Sequence, residues 1–188
     1  MAKYKITKVD YRRKRTHYTD YKKRLALLKS GKHRLVIRRS ANYITAQLVD
    51  YSPAGDKILL TVSSKELVAH GWKYSCKNIP AAYLTGLLFA KKAKDNKLAD
   101  TAIVDIGSFV SKKGSRLYSL VKGVIDGGIN VPVSEEVLPS EERVKGSHIV
   151  NIGKNVSKGN MQFSAYNKSG ITDKIEAEFE KLSKKING

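Results

Sequence analysis

Fourteen residues near the start, Tyr11-Arg12-Arg13-Lys14-Arg15-Thr16-His17-Tyr18-Thr19-Asp20-Tyr21-Lys22-Lys23-Arg24, carry seven positive side chains and three tyrosines but one carboxylate. Taking an unpaired cation out of water costs several kcal/mol, so no core can absorb this stretch. It lies in solvent or against a polyanion. Arginine forks grip phosphate oxygens in pairs, lysines act as point charges, and tyrosine rings stack on unpaired bases. The stretch reads as an RNA-binding arm that leads into a globular domain. The competing reading is a solvated charge run or a nuclear-localisation-like address.

Charge is concentrated where that arm begins. Lys and Arg outnumber Asp and Glu by 36 to 17, for a net charge of +19. Up to Arg39 there are fifteen cations against Asp10 and Asp20. Such asymmetry points to nucleic acid before a lipid surface, because a membrane-binding helix needs a wide apolar face beside its charge. Here tyrosines, not leucines, accompany the cations until Leu25. No apolar run reaches the roughly 18 residues of a membrane span, and Met1-Ala2-Lys3-Tyr4-Lys5 lacks the apolar stretch of a secretory signal, so a cytosolic protein is expected. The 188 residues suit one domain with extensions.

Residues 1–18 read as an extended arm. A helix follows, capped by Thr19 or Asp20, with Tyr21, Leu25 and Leu28 on one stripe, Lys22, Lys23 and Lys29 on the other faces, and Gly31 at its end. Three strand-like runs come next, over residues 34–38, 43–49 and 58–62, separated by short turns that favour an antiparallel meander. The middle run alternates: Ile44, Ala46 and Leu48 point one way, Tyr43, Thr45 and Gln47 the other. Arg38, Arg39, Tyr43, Thr45 and Gln47 then offer an open face to RNA, with an ordinary wet sheet face as the alternative.

Asn78 caps a long helix with Pro80 in its first turn, and Gly86 inside it lets the helix lie close on the sheet. The β-rich run at residues 101–106 returns as a parallel strand of the same sheet. The basic loop 108–116 then sits at a strand's carboxyl end, where ligands gather in α/β layers, and Ser115 opens the next helix. Residues 129–133 are an edge strand or a connector, because Pro132 cannot donate to a ladder. Beyond 134 a brief helix opens at Pro139-Ser140 and ends at Gly146, residues 147–170 read as loop, and Ile171, Ile175, Phe179, Leu182 and Ile186 mark a terminal amphipathic helix whose partner is the domain itself or, alternatively, another protein. The expected fold is mixed α/β: an antiparallel three-stranded meander extended by a parallel strand, with helices on one face. It divides into a basic arm (1–18), a globular domain (19–133) and a C-terminal extension (134–188).

Catalytic patterns are missing. His17, His33, His70 and His148 lack metal-ligand spacing, the single Cys76 forms no internal disulfide, and no P-loop, G-x-S-x-G or G-x-G-x-x-G occurs. No cofactor is expected. The enzymatic alternative is a metal-dependent RNA nuclease in which Asp50, Asp105 and Asp126 hold Mg²⁺, although each is equally a turn or strand-end residue.

The chain also carries an ordered series of family motifs. They run from Arg12-Arg13-Lys14-Arg15 with Thr19-Asp20-Tyr21, through Arg24-Leu25, Leu27-Leu28-Lys29-Ser30-Gly31, Arg34-Leu35-Val36, Ala46-Gln47-Leu48-Val49 and Gly71-Trp72. The most specific is Asn78-Ile79-Pro80-Ala81-Ala82-Tyr83-Leu84-Thr85-Gly86-Leu87-Leu88. Asp105-Ile106-Gly107, Gly123-Val124-Ile125-Asp126 and Arg143-Val144-Lys145-Gly146-Ser147-His148-Ile149 complete the series. Over about the first 150 residues the sequence resembles the large-subunit ribosomal proteins of the L-eighteen family in archaeal form, whose eukaryotic relative is called L-five. The resemblance implies a structural protein that binds 5S rRNA and helps attach it to 23S rRNA in the central protuberance. Its implied neighbour is the 5S-binding ribosomal protein of the bacterial and archaeal L-five family. The arm, with Arg12, Arg13, Lys14, Arg15 and Tyr18, would run along rRNA, and Tyr21, Lys22, Lys23, Arg24 and Lys29 of the following helix are further candidate RNA contacts. Lys112, Lys113, Arg116 and Tyr118 match the family's 5S-contacting loop by position.

Overall fold

Alternation in β2 (Ile44–Asp50) organises the sheet: Ile44, Ala46 and Leu48 are fully buried, while Thr45 and Gln47 lie on the opposite face. The computed structural model describes residues 9–98, 100–155 and 174–187. β1 (His33–Arg39) runs antiparallel to β2, with Leu35 opposite Leu48 and Ile37 opposite Ala46. β3 (Lys57–Ser63) pairs antiparallel with the other edge of β2, and a bulge at Leu59 shifts the register. β4 (Ala102–Asp105) joins β1 in parallel, giving the order β3-β2-β1-β4. The mixed sheet is the one expected. Residues 129–133 form a connector that touches the sheet through a single parallel bridge, Thr101 to Asn130.

Helices α4 (Ile79–Asp95) and α5 (Arg116–Asp126) cover the face bearing Leu35, Ile37 and Leu48. Asn78 caps α4, its Oδ1 accepting from the Ala81 N–H at 2.8 Å. The two helices cross backbone to backbone. A Cβ on Gly86 would stand 2.2 Å from the Leu120 carbonyl oxygen, and one on Gly123 would stand 2.2 Å from that of Tyr83. Gly86 therefore admits a neighbouring helix, where the sequence predicts close approach to the sheet. Trp72 is buried, with its ring 5.0 Å from that of Tyr74, and follows the one-turn helix α3 (Glu66–Ala69).

Before β1, α1 (Arg12–Arg15) makes one helical turn inside the expected extended arm. The Tyr11 carbonyl accepts from the Lys14 and Arg15 amides, Lys14 pairs with Asp10 at 2.6 Å, and His17 ends the turn at φ +54°. Residues 1–8 lie outside the described residues. α2 (Tyr21–Leu28) has the expected cap, with Asp20 accepting from the Lys22 and Lys23 amides. Its stripe differs from expectation. Tyr21 and Leu25 are exposed, and Arg24, Leu27 and Leu28 are the half-buried positions, because the helix stands over the second face of the sheet and is fastened there by a charge pair.

At the other end, α6 (Glu141–Lys145) stops at Gly146 in the left-handed region, as its glycine predicts. The chain then enters α7 (Ser147–Asn155), which corrects the loop expected there. Ile149 and Val150 pack toward the core and both amides donate to the Gly146 carbonyl, so tertiary burial overrides the weak propensity of Ser, Asn and Gly. Residues 156–173, Ile171 among them, lie outside the described residues. α8 (Ile175–Asn187) buries Ile175, Phe179, Leu182 and Ile186 against the domain, with the Phe179 ring 5.5 Å from that of Tyr83.

Candidate nucleic-acid interface

The face of the sheet opposite α4 is built on a buried arginine. Leu35 and Ile37 point to the core, so Arg34, Val36 and Arg38 point away from it. Arg34 has only 3% of its side chain exposed. Its Nη1 donates to Asp105 Oδ2 at 3.1 Å, and its Nη2 lies 2.8 Å from Asp56 Oδ2. Asp56 in turn accepts from Arg24 Nη2 on α2 through both oxygens, at 2.8 and 2.9 Å. Asp105 also accepts from the Gly107 amide, and its carbonyl accepts from Arg38 Nη1 at 3.0 Å. Two carboxylates thus fix three arginines and hold α2 over the sheet.

Between the arm, α2 and this face lies a cleft of about 540 Å³, bordered by Arg13, Tyr21, Arg24, Arg38 and Gln47. Arg24 and Arg38, two of the expected RNA ligands, are committed to Asp56 and Asp105, so they act as walls that still carry charge. Gln47 Nε2 donates to Thr61 Oγ1 at 3.2 Å, and Thr45 sits beside it on the same face. Arg12, Arg13 and Arg15 are exposed and have no carboxylate partner among the described residues. Arg13 stacks on the Tyr18 ring at 5.5 Å, and Tyr11 meets Tyr21 at 5.8 Å, leaving 75% of both Tyr11 and Tyr18 exposed. Lys22, Lys23 and Lys29 are exposed along and just past α2, and Tyr43 lies at the rim where β2 begins.

Strand alternation separates Arg38 from Arg39. Arg39 is opposite the core residue Ile44, so it leaves the helix-covered side of the sheet and stacks on Phe109 at 4.9 Å. The expectation that both arginines share one open face does not hold for Arg39. It joins Lys112, Lys113 and Arg116 in a second basic concavity near the starts of α4 and α5. Arg116 Nη1 donates to the Lys77 carbonyl at 2.9 Å, and the Tyr118 and Ser111 hydroxyls are 2.5 Å apart. Sequence reasoning misses Arg34, Asp56, Lys77, Arg143 and His148 as residues of these two sites. For Arg34 a signal exists, since an arginine four positions before Arg38 on an alternating strand lies on the same face.

The nuclease alternative loses its geometry. Asp50, at the far end of β2, lies 3.5 Å from His33 Nδ1; Asp105 is consumed by Arg34 and Gly107; Asp126 accepts from the Tyr83 hydroxyl in the helical layer. Among the described residues no group of three or more His, Cys, Asp or Glu is placed to hold a metal. Nor is any described helix long and apolar enough to cross a membrane.

Burial pushes the Asp56 carboxyl upward, but contact with Arg34 and Arg24 outweighs it and holds the group below its ordinary 3.8. A depressed carboxylate stabilises the fold fully above that ordinary value and loses its contribution as pH falls through the lower folded value. Thermal melts taken from about pH 6 down to about pH 2 should therefore show stability falling at the acid end, and more shallowly in Asp56→Asn. Parallel profiles for the two proteins would rule out this clamp as the acid-sensitive element.

An α/β body whose sheet-face carboxylates, Asp56 and Asp105, are engaged by its own arginines, and whose Arg12, Arg13 and Arg15 have no carboxylate partner among the described residues, has the charge layout of a structural polyanion-binding protein. The profile of a family described as ribosomal large subunit proteins 60S L5, and 50S L18, matches residues 5–101. The large ribosomal subunit protein uL18 of Korarchaeum cryptofilum (strain OPF8) is 47% identical over 190 residues, covering 99% of this chain and 97% of the relative. These matches define a structural constituent of the large ribosomal subunit and not an enzyme, so the nuclease reading is set aside. The chain belongs to the L5/L18 family of large-subunit ribosomal proteins. The likeness also runs past the 150 residues expected from the motifs, through the C-terminal extension.

Proposed function

We propose that the chain binds 5S rRNA and helps attach it to 23S rRNA in the central protuberance, beside the 5S-binding ribosomal protein of the bacterial and archaeal L-five family. The arm, α2 and the 112–118 loop supply the contacts. Family membership supports the setting. The observation that carries the reading is the free state of Arg12, Arg13 and Arg15: three exposed guanidinium groups without a carboxylate partner among the described residues, beside exposed tyrosine rings. Phosphate contacts supply affinity, while stacking and RNA shape supply selectivity.

Deleting residues 1–15 should weaken binding to 5S rRNA in a gel-shift titration while the circular dichroism spectrum of the folded body persists. The body's contacts to the arm are few, since α1 buries no residue. Equal affinity in the truncated and full chains would remove the arm from the interface.

A further inference from the structure

The second basic concavity, about 600 Å³ in volume, is lined by no Asp or Glu among the described residues. Lys77 precedes α4, Lys112 and Arg116 come from the loop before α5 and its first turn, and Arg143 comes from α6. Lys113 also lines it and reaches Glu136 at 3.3 Å, a pair with both side chains mostly exposed and therefore weakly held. This much like charge gathered in one hollow is costly without a counter-ion.

Three buried polar atoms belong to residues lining the same hollow and have no hydrogen-bond partner among the described residues: Asn78 Nδ2, Ser115 Oγ and His148 Nδ1. Asn78 Nδ2 is a donor, and the hydroxyl and imidazole can also donate. A buried donor left unmade is costly, so a cluster of three calls for an acceptor. Asn78 spends its Oδ1 on the Ala81 amide, which leaves its Nδ2 for something else. Ser115 occupies the cap position of α5 but makes no side-chain cap bond, so its hydroxyl is free and the first amides of α5 lack that acceptor. The positive ends of α4 and α5, helices of 17 and 11 residues, add to the same field.

Resting on the proposed RNA binding, we infer that this pocket seats one phosphate of the RNA backbone, held by Arg143 and His148 of the α6–α7 corner together with Asn78, Ser115 and the loop cations. A phosphodiester brings anionic acceptor oxygens that meet the unopposed cations directly, and the orphaned donors, now shielded from solvent, reach them once their side chains turn toward the hollow. The C-terminal extension thereby becomes part of the RNA interface, through residues distant in sequence from both the arm and the 112–118 loop.

The test uses the full chain and 5S rRNA, comparing wild type with Arg143→Gln and His148→Ala over a range of KCl. Arg143 is exposed, so its replacement leaves the core intact, and thermal melts check both variants. The expected result is an affinity loss of about tenfold, a log–log salt slope shallower by roughly 0.7–0.9 in Arg143→Gln, and loss of hydroxyl-radical protection at one RNA site while the rest persists. If wild type binds and both folded variants match it in affinity, slope and footprint, the pocket proposal is overturned and the RNA-binding reading stands. If wild type fails to bind 5S rRNA, both fall. Saturable displacement of the His148 imidazole resonance by inorganic phosphate, with RNA affinity unchanged in the variants, would mark a free-phosphate site and also overturn the proposal.

Discussion

Gly86→Ala is expected to destabilise the domain by roughly 3 kcal/mol, the upper end of overpacking costs. Helix propensity alone predicts the opposite sign, since Ala is better than Gly inside a helix by about 1 kcal/mol. Steric conflict wins because the new Cβ would meet the Leu120 carbonyl at 2.2 Å, with the Val124 amide at 3.0 Å behind it. Both are backbone atoms of α5 and cannot rotate away as a side-chain end would. Relief requires α4 and α5 to separate, and Leu84, Leu87, Leu120, Val121 and Val124 would lose packing together. Urea unfolding followed by far-ultraviolet circular dichroism measures the change. A variant as stable as wild type would show that the helix pair slides apart cheaply.

Asp105→Ala is expected to cost about 3 kcal/mol, because removing one partner of a buried ion pair leaves the other uncompensated. Arg34 would keep Asp56, which places the loss at the lower end of the range for such breaks. The Gly107 amide would lose its acceptor as well. Replacing both partners, Arg34→Met with Asp105→Leu, should recover most of that stability, since apolar groups of similar volume need no desolvation of charge. Denaturation of the two variants side by side decides the matter. A double variant weaker than Asp105→Ala alone would mean that the arginine contributes through packing or through the α2 attachment.

Local chemistry makes much of the fold legible. Period-two alternation in β2 assigns Ile44, Ala46 and Leu48 to the core, the Asn78 and Asp20 caps place two helix starts, and the spacing of Ile175, Phe179, Leu182 and Ile186 gives the last helix with its packing face. Contacts distant in the chain are not legible. Arg34 meets Asp105 across 71 positions and Arg24 meets Asp56 across 32, so nothing local separates a clamping arginine from a free one. For that reason sequence alone groups Arg24 and Arg38 with Arg12 and Arg13, although carboxylates hold the first two. Gly86 announces a close approach, yet its partner is visible only once Gly123 stands opposite. α7 escapes because its sequence lacks helical preference and forms where Ile149 and Val150 find the core. At the candidate interface, the free charge of the arm can be read from composition, whereas the pocket around His148 needs four separate stretches brought together.

Free cations on the arm and committed ones beneath it imply a binding energy dominated by counter-ion release. The most direct measurement is the salt dependence of 5S rRNA affinity for the full chain and for the chain lacking residues 1–15. With about eight phosphates neutralised, the log–log slope of the full chain should be roughly −6 to −7, and truncation should make it shallower by several. A slope near zero in the full chain, or one that truncation leaves unchanged, would contradict an RNA grip exerted by Arg12, Arg13 and Arg15.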